Sequence, residues 1–548
     1  MSSAANRLLI LGLDGATWTV LDPMRKLGLM PNLDALVRGS ASGTLRSVVP
    51  PVTTAAWTSL MTGCGPVKHG VFDHRYYDLA SDQMKVNHSA RSRAASMWQQ
   101  LSQAGHSIAC LNVPGTFPPP QVKGVIVAGM DAPHLDAALT GYPDFAARLR
   151  QEVPGYSLRY FWKRAPQSLE ELSENARLTC ESFRERARGG LCADRHVPDW
   201  SVLMVQFQNL DPFQHRCWNV LNVDETGVDR PEWNAAARSV LSGLDEAIGL
   251  LLELAAKRSA QVMVVSDHGF GPCRGRVHVN RVLLDAGIAR MPGTLGKLRR
   301  RIKQARENLR LWTVKRNDPE ARSSSFDLSV QAQFPFDWRR TLAFAPHQDT
   351  AAMVYLNTTA HRIGAPLSTY RQIDDARASA VQALREARHP ESGLPLFPTV
   401  INLAETHGID PAREGYPDVI ALPEENYWVR TKLAPGRDWI EPDANLPGTH
   451  RPEGIVAFSA PGVVPGRRLT ADIRDVAPTV LSLFGVPIPA TMEGSPLQIG
   501  NAPATSTMRE HAPQAAVPTP HTAPAQFEYT PEEQAIIEQR LADLGYLE

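Results

Sequence analysis

Short β-branched and aliphatic runs alternate along this chain with longer stretches of helical periodicity. LLILGLD (8–14), SIACLNV (107–113), SVLMVQFQNLD (201–211), QVMVVSD (261–267), DVIALP (418–423) and GIVAFSAPG (454–462) read as strands. SMWQQLSQAG (96–105) and ARSVLSGLDEAIGLLLELAAK (237–257) read as helices. Strands that are apolar throughout leave no face for water. Set between helices, they predict an α/β fold with a mostly parallel central sheet covered on both sides. Ligands of such sheets bind at the carboxyl ends of the strands.

Between 286 and 415 the texture changes. A strongly basic run, 297–316, carries Ile302, Ala305, Leu309 and Trp312 at helical spacing, and 340–360 reads as two strands around a turn. The expected organisation is a core built from 1–285 and 416–498, interrupted by an inserted α+β cap at 286–415. The basic run reads as a solvated helix face or as a cationic surface over an anionic ligand or lipid headgroups. The stretch 472–489 reads as a helix closing the core. Residues 499–527, rich in Ala, Pro and Thr, read as a flexible linker. A last amphipathic helix is expected in 528–548, with Thr530 as N-cap, Pro531 in the first turn and Glu533 completing a capping box. Ile537, Leu541 and Leu544 form its apolar face, and Gly545 ends it.

Composition narrows the function. The 548 residues are 43% hydrophobic and 21% charged, as in a soluble globular protein. Lys and Arg number 57 and Asp and Glu 57, which excludes bulk attraction to a nucleic-acid polymer or a membrane, so any anion binding is local. No stretch approaches the roughly 20 apolar residues of a membrane span, and the N-terminal apolar run is short for a signal peptide. The six cysteines are scattered and none forms a CxxC pair, which points to reduced thiols and a cytoplasmic address.

The chemistry gathers where strands end. Asp14 closes the first apolar run, Asp211 and His215 follow the third four residues apart, and Asp267–His268 follows VMVVS. His450 sits in LPGTH, and Thr53 and Thr54 open a helical stretch after Pro50 and Pro51. Singly, each has a plain reading: a helix-capping Asp, a capping Thr at either position, a loop His. Together they supply the carboxylates, imidazoles and hydroxyl that two hard divalent ions and a nucleophile need. A hydroxyl at a helix N-terminus also sits where backbone N–H groups favour a phosphate.

The set resembles the alkaline phosphatase superfamily, most closely its type I phosphodiesterase/nucleotide pyrophosphatase branch. In that branch the nucleophilic Thr lies ten residues before the Gly of a T-G step, which a P-x-x-H-G element follows. Thr62–Gly63 and Pro66–Gly70 supply both landmarks here, and counting back from Gly63 selects Thr53. The resemblance implies a three-layer alkaline-phosphatase-like core and Thr53 as catalytic nucleophile. It assigns Asp14, Thr53, Asp267 and His268 to one ion and Asp211, His215 and His450 to the other. The imidazole-rich set favours Zn²⁺, with Mn²⁺ the alternative. The expected partner is a small phosphorylated substrate, a phosphodiester or nucleotide-like pyrophosphate. A phosphomonoesterase, with Arg46, Lys68 or a residue of the cap as the extra cation, and a non-catalytic anion-binding protein are the alternatives.

Overall fold

Leu8–Leu13 is a fully buried strand whose side chains alternate between two cores. Leu9, Leu11 and Leu13 enter one, and Leu8 and Ile10 enter the other. This is the period-two pattern of a strand covered on both faces. In this computed structural model the residues described are 6–142, 144–158, 161–293, 329–347, 349–433, 438–498 and 527–544. The basic run 297–316, residues 499–526 of the expected linker and Gly545 lie outside them.

The chain divides into two compact units. The first comprises Met1–His74, Val86–Cys273 and Ala444–Glu548, and the second Arg75–Lys85 and Arg274–Asp443. The first is built on a nine-stranded sheet in the order Arg468–Asp472, Ala41–Arg46, Glu453–Ser459, Gln261–Val265, Leu8–Leu13, Trp200–Phe207, Ser107–Leu111, Gly124–Val127, Leu139–Thr140. Leu8–Leu13 runs parallel to both neighbours, and Trp200–Phe207 and Ser107–Leu111 continue the parallel run. Glu453–Ser459 is antiparallel to the strands on either side of it. The sheet is therefore mostly parallel, as an α/β core requires. The long helices Leu169–His196 and Pro231–Arg258 bury their apolar stripes in one core. Thr53–Thr62, Met97–Gln103 and Val476–Leu483 bury theirs in the other, giving three layers.

Register sets the site. Leu13 lies opposite Phe207 and Gly12 opposite Val265, so the residues that follow these three strands leave the sheet at one level of its carboxyl edge. Strand 200–207 ends earlier than SVLMVQFQNLD suggests, because the chain then turns into the helix Leu210–Leu221.

In the second unit, Ala343–Phe344 and Ala352–Leu356 form the hairpin pair expected in 340–360. Val419–Leu422 joins this antiparallel sheet, between Ala352–Leu356 and Thr399–Asn402. A four-residue apolar run looks alike in a parallel core and in a small antiparallel sheet, and here its partners lie in the second unit. The helix Tyr370–Glu386 opens with a capping box from Thr369 and Gln372.

The C-terminal helix spans Pro531–Leu544. The Thr530 N–H donates to Glu533 Oε2 at 2.9 Å and Glu533 N–H to Thr530 Oγ1 at 3.2 Å, the reciprocal capping pair. Ile537, Leu541 and Leu544 are buried. Among the described residues no helix is long and apolar enough to cross a membrane.

Candidate active site

Asp14 follows the first strand directly, and its buried carboxylate is held by two donors. Trp57 Nε1–H donates to Oδ2 at 3.0 Å and Gln206 Nε2 at 2.7 Å. The second oxygen, Oδ1, accepts no hydrogen bond from the described residues. Asp267, beyond the neighbouring strand, repeats the arrangement: Oδ1 accepts the Gly15 N–H at 3.0 Å, and Oδ2 accepts none. Gly15 adopts φ +66°, and a Cβ there would come within 2.9 Å of the Phe270 ring. The turn that brings its N–H to Asp267 is thus open to glycine only. Burial pushes the Asp14 carboxyl well above the usual range, and the charge of Asp211 adds to this. Burial and then the charge of Asp14 do the same to Asp267. Uncompensated carboxylates at this depth are costly, so the site calls for positive charge.

Asp211 lies in the first turn of Leu210–Leu221, and His215 one turn further on the same face. His450 reaches them from Gly448–Arg451, a strand paired antiparallel with Gly269–Pro272 in a register that sets Phe270 opposite His450. The LPGTH segment is thus strand at its end rather than loop. His450 Nε2 is 3.0 Å from Asp211 Oδ1 and 3.0 Å from His215 Nε2. The His268 ring stacks on His450 with centroids 3.7 Å apart. His268 Nε2 lies 3.2 Å from Asp267 Oδ2, 3.8 Å from Asp14 Oδ1 and 4.0 Å from Asp211 Oδ1.

The tautomers follow from the carbonyls. His215 Nδ1 faces Gly448 O at 2.9 Å, His268 Nδ1 faces Gly269 O at 3.1 Å, and His450 Nδ1 faces Pro51 O at 2.9 Å. A carbonyl only accepts, so each Nδ1 carries the proton and each Nε2 offers a lone pair. Burial keeps all three rings neutral, with His450 pushed down to about 3. Three lone pairs and three carboxylates thus converge. Asp211, His215 and His450, and Asp14, Asp211 and His268, each offer ligand atoms within 4.8 Å of one another. Oriented imidazoles backed by carbonyls, beside unsatisfied carboxylate oxygens, fit divalent cations.

Thr53 is the first residue of the helix Thr53–Thr62, and Val52, which has no side-chain donor or acceptor, occupies the cap position. Its Oγ1 lies 3.3 Å from His268 Nε2. Thr54 Oγ1 instead bonds His74 Nδ1 at 2.6 Å. The two hydroxyls therefore separate, and that of Thr53 faces the carboxylate–imidazole cluster. All seven residues singled out in the sequence come together here. Lys68 does not: its ammonium bonds Thr491 O at 3.2 Å and pairs with Glu493 at 3.5 Å. Arg46 is exposed.

The sequence reading missed Trp57 and Gln206, the two groups that orient Asp14. A signal existed for both. Trp57 lies four residues after Thr53, on the same helix face, and Gln206 interrupts the apolar run of its strand. Gly12 makes the Trp57 contact possible, since a Cβ there would lie 2.8 Å from the indole ring.

Comparison with known proteins gives the family and the fold. The sequence matches the type I phosphodiesterase/nucleotide pyrophosphatase family over residues 8–451. No curated protein sequence matches. Among solved structures, the fold is similar to phosphonoacetate hydrolase from Sinorhizobium meliloti 1021 in complex with phosphonoformate. That likeness has a TM-score of 0.52 at 16% identity and covers 86% of this chain and 94% of that one. Murine ectonucleotide pyrophosphatase/phosphodiesterase 5 matches with a TM-score of 0.46 at 13% identity, over 88% of this chain and 95% of its own. The chain belongs to the type I phosphodiesterase/nucleotide pyrophosphatase family, and it is a hydrolase of that class.

Proposed function

We propose that this hydrolase uses two divalent metal ions and Thr53 to cleave phosphodiesters or nucleotide-like pyrophosphates of small substrates. The observation that carries the reading is the Thr53 hydroxyl, at a helix N-terminus and 3.3 Å from His268 Nε2, beside the converged carboxylates. Asp14, Asp267 and His268, with Thr53, would hold one ion, and Asp211, His215 and His450 the other. Bound there, such ions supply positive charge to the phosphoryl oxygens and lower the pKa of a hydroxyl or water. Zn²⁺ suits three imidazoles better than Mn²⁺ does.

The chain's own groups do the rest. Thr53 Oγ1 forms a bond to phosphorus as the bond to the leaving oxygen breaks in line. The hydroxyl proton passes to solvent, and the leaving alkoxide or phosphate departs. Water then attacks the phosphothreonine, the phosphorus–Oγ1 bond breaks, and the hydroxyl of Thr53 is restored. Backbone N–H groups at the start of the Thr53 helix would donate to a phosphoryl oxygen, as helix N-termini do. Trp57 and Gln206 fix Asp14 through both steps.

A cytoplasmic address belongs to the same proposal, since the six scattered cysteines include no CxxC pair. The engagement of Lys68 by Glu493 favours a diester over a monoester, whose additional charge would need a free cation. Hydrolysis of bis-p-nitrophenyl phosphate against p-nitrophenyl phosphate, with Zn²⁺ or Mn²⁺ restored after chelation, tests this. The diester is expected to be preferred. A monoester preference would overturn the substrate class, and no metal-dependent turnover of either would favour an anion-binding role.

A further inference from the structure

The C-terminal segment is fastened to the first unit by polar as well as apolar contacts. Phe527 and Tyr529 pack on Phe117, with ring centroids 5.4 and 5.6 Å away, and both also contact His88. The Tyr529 hydroxyl donates to Asp131 O at 2.8 Å. Arg540 donates to three main-chain carbonyls of one loop, those of Met130 at 3.1 Å, Ala132, and Pro133 at 2.6 Å. A guanidinium spread over several carbonyls of one loop fixes that loop's path.

That loop is coupled onward. The Asp131 carboxylate accepts the Gly115 N–H at 3.2 Å and the Phe117 N–H at 2.7 Å. Gly115, at φ +76°, lies so close to the Thr53 helix that a Cβ would sit 2.8 Å from Thr58 Oγ1 and 3.7 Å from Thr54 O. Thr58 Oγ1 in turn bonds Thr54 O at 2.7 Å, and Val113 shares a core with Ala55, Ala56 and Trp57. Tail, loop 130–133, loop 113–117 and the first turn of the Thr53 helix thus form one unbroken series of contacts.

We propose that the C-terminal segment braces the nucleophile-bearing helix in cis, with Arg540 and Tyr529 as positioning residues acting through Asp131 and Gly115. The proposal rests on the reading of Thr53 as the nucleophile. In-line attack depends on placing the hydroxyl to within a fraction of an ångström, so a loosened first turn lowers turnover without removing any reacting group.

The test uses the full-length, metal-loaded protein and its Arg540→Ala, Arg540→Lys and Tyr529→Phe variants, read by diester kinetics and by amide hydrogen exchange. Arg540→Ala should lower kcat about 10-fold with KM and bound metal unchanged. It should also speed exchange in 113–118 and 53–58 while leaving Leu8–Leu13 protected. Arg540→Lys should recover part of the loss, and Tyr529→Phe, which removes only the hydroxyl, should show a smaller effect of the same kind. Loosened amides in 529–544 with kcat unchanged would show a tail that merely docks. Faster exchange throughout, including Leu8–Leu13, would reduce its role to general stability. Either result overturns the proposal. If Thr53 is not the nucleophile, activity survives Thr53→Ala, while the exchange coupling between tail and helix is still read independently.

Discussion

His215 and His450 face each other Nε2 to Nε2 at 3.0 Å, with both Nδ1 protons committed to backbone carbonyls. Two lone pairs meeting in a buried site repel unless a cation lies at their convergence, and Asp211 Oδ1 at 3.0 Å from His450 completes the third corner. Replacing His450 with Ala should therefore lower bound metal from about two ions per chain to about one, with affinity at the lost position down about 100-fold or more. Elemental analysis after equilibrium dialysis reads this directly. Retention of both ions would remove His450 from the ligand set.

Trp57 touches the chemistry only through Asp14. Trp57→Phe keeps an aromatic ring in the core and deletes the N–H that Asp14 Oδ2 accepts at 3.0 Å. Gln206 still holds that oxygen at 2.7 Å, so the expected effect is partial: about 10-fold in metal affinity or kcat. Metal titration alongside thermal unfolding separates this from a packing defect. A variant that loses stability but keeps metal affinity and kcat would make Trp57 a core residue only.

The P-V-K-H-G element has a pH signature. His69 is fully buried, its Nδ1 accepts the Val71 N–H at 3.2 Å, and its Nε2–H meets Ser59 Oγ on the Thr53 helix at 2.8 Å. Burial pushes its pKa down to about 3, against about 6.5 in an unfolded chain. Between these values the unfolded state binds more protons than the native one, so stability rises with pH. The contribution is complete above the unfolded pKa and is lost as pH falls from about 6.5 toward about 3. His69→Gln should flatten that acid limb relative to the parent in denaturant unfolding at matched metal loading. An unchanged slope would show that His69 titrates normally.

The depth of legibility in the sequence differs from residue to residue. Leu8–Leu13 and Gln261–Val265 announce a doubly covered strand because, Gln261 aside, every position is apolar, and Asp14 and Asp267 announce a strand-end site because they follow those runs. The place of Val419–Leu422 depends on pairing with strands distant in sequence, which a four-residue run does not encode. The same holds for His450, whose position follows from a register with Phe270 that no local pattern specifies. Trp57 and Gln206 were hidden for a different reason: a buried indole and a strand amide look structural until the carboxylate they serve is in view.

In the proposed mechanism the Thr53 hydroxyl forms the bond to phosphorus, and the remaining metal ligands do not depend on it. The most direct test is Thr53→Ala in the full-length protein, with bis-p-nitrophenyl phosphate turnover and bound metal measured on the same preparation. We expect turnover to fall by about three orders of magnitude or more while metal content stays near that of the parent. Turnover within a few-fold of the parent, at the same metal content, would show that Thr53 is not the nucleophile.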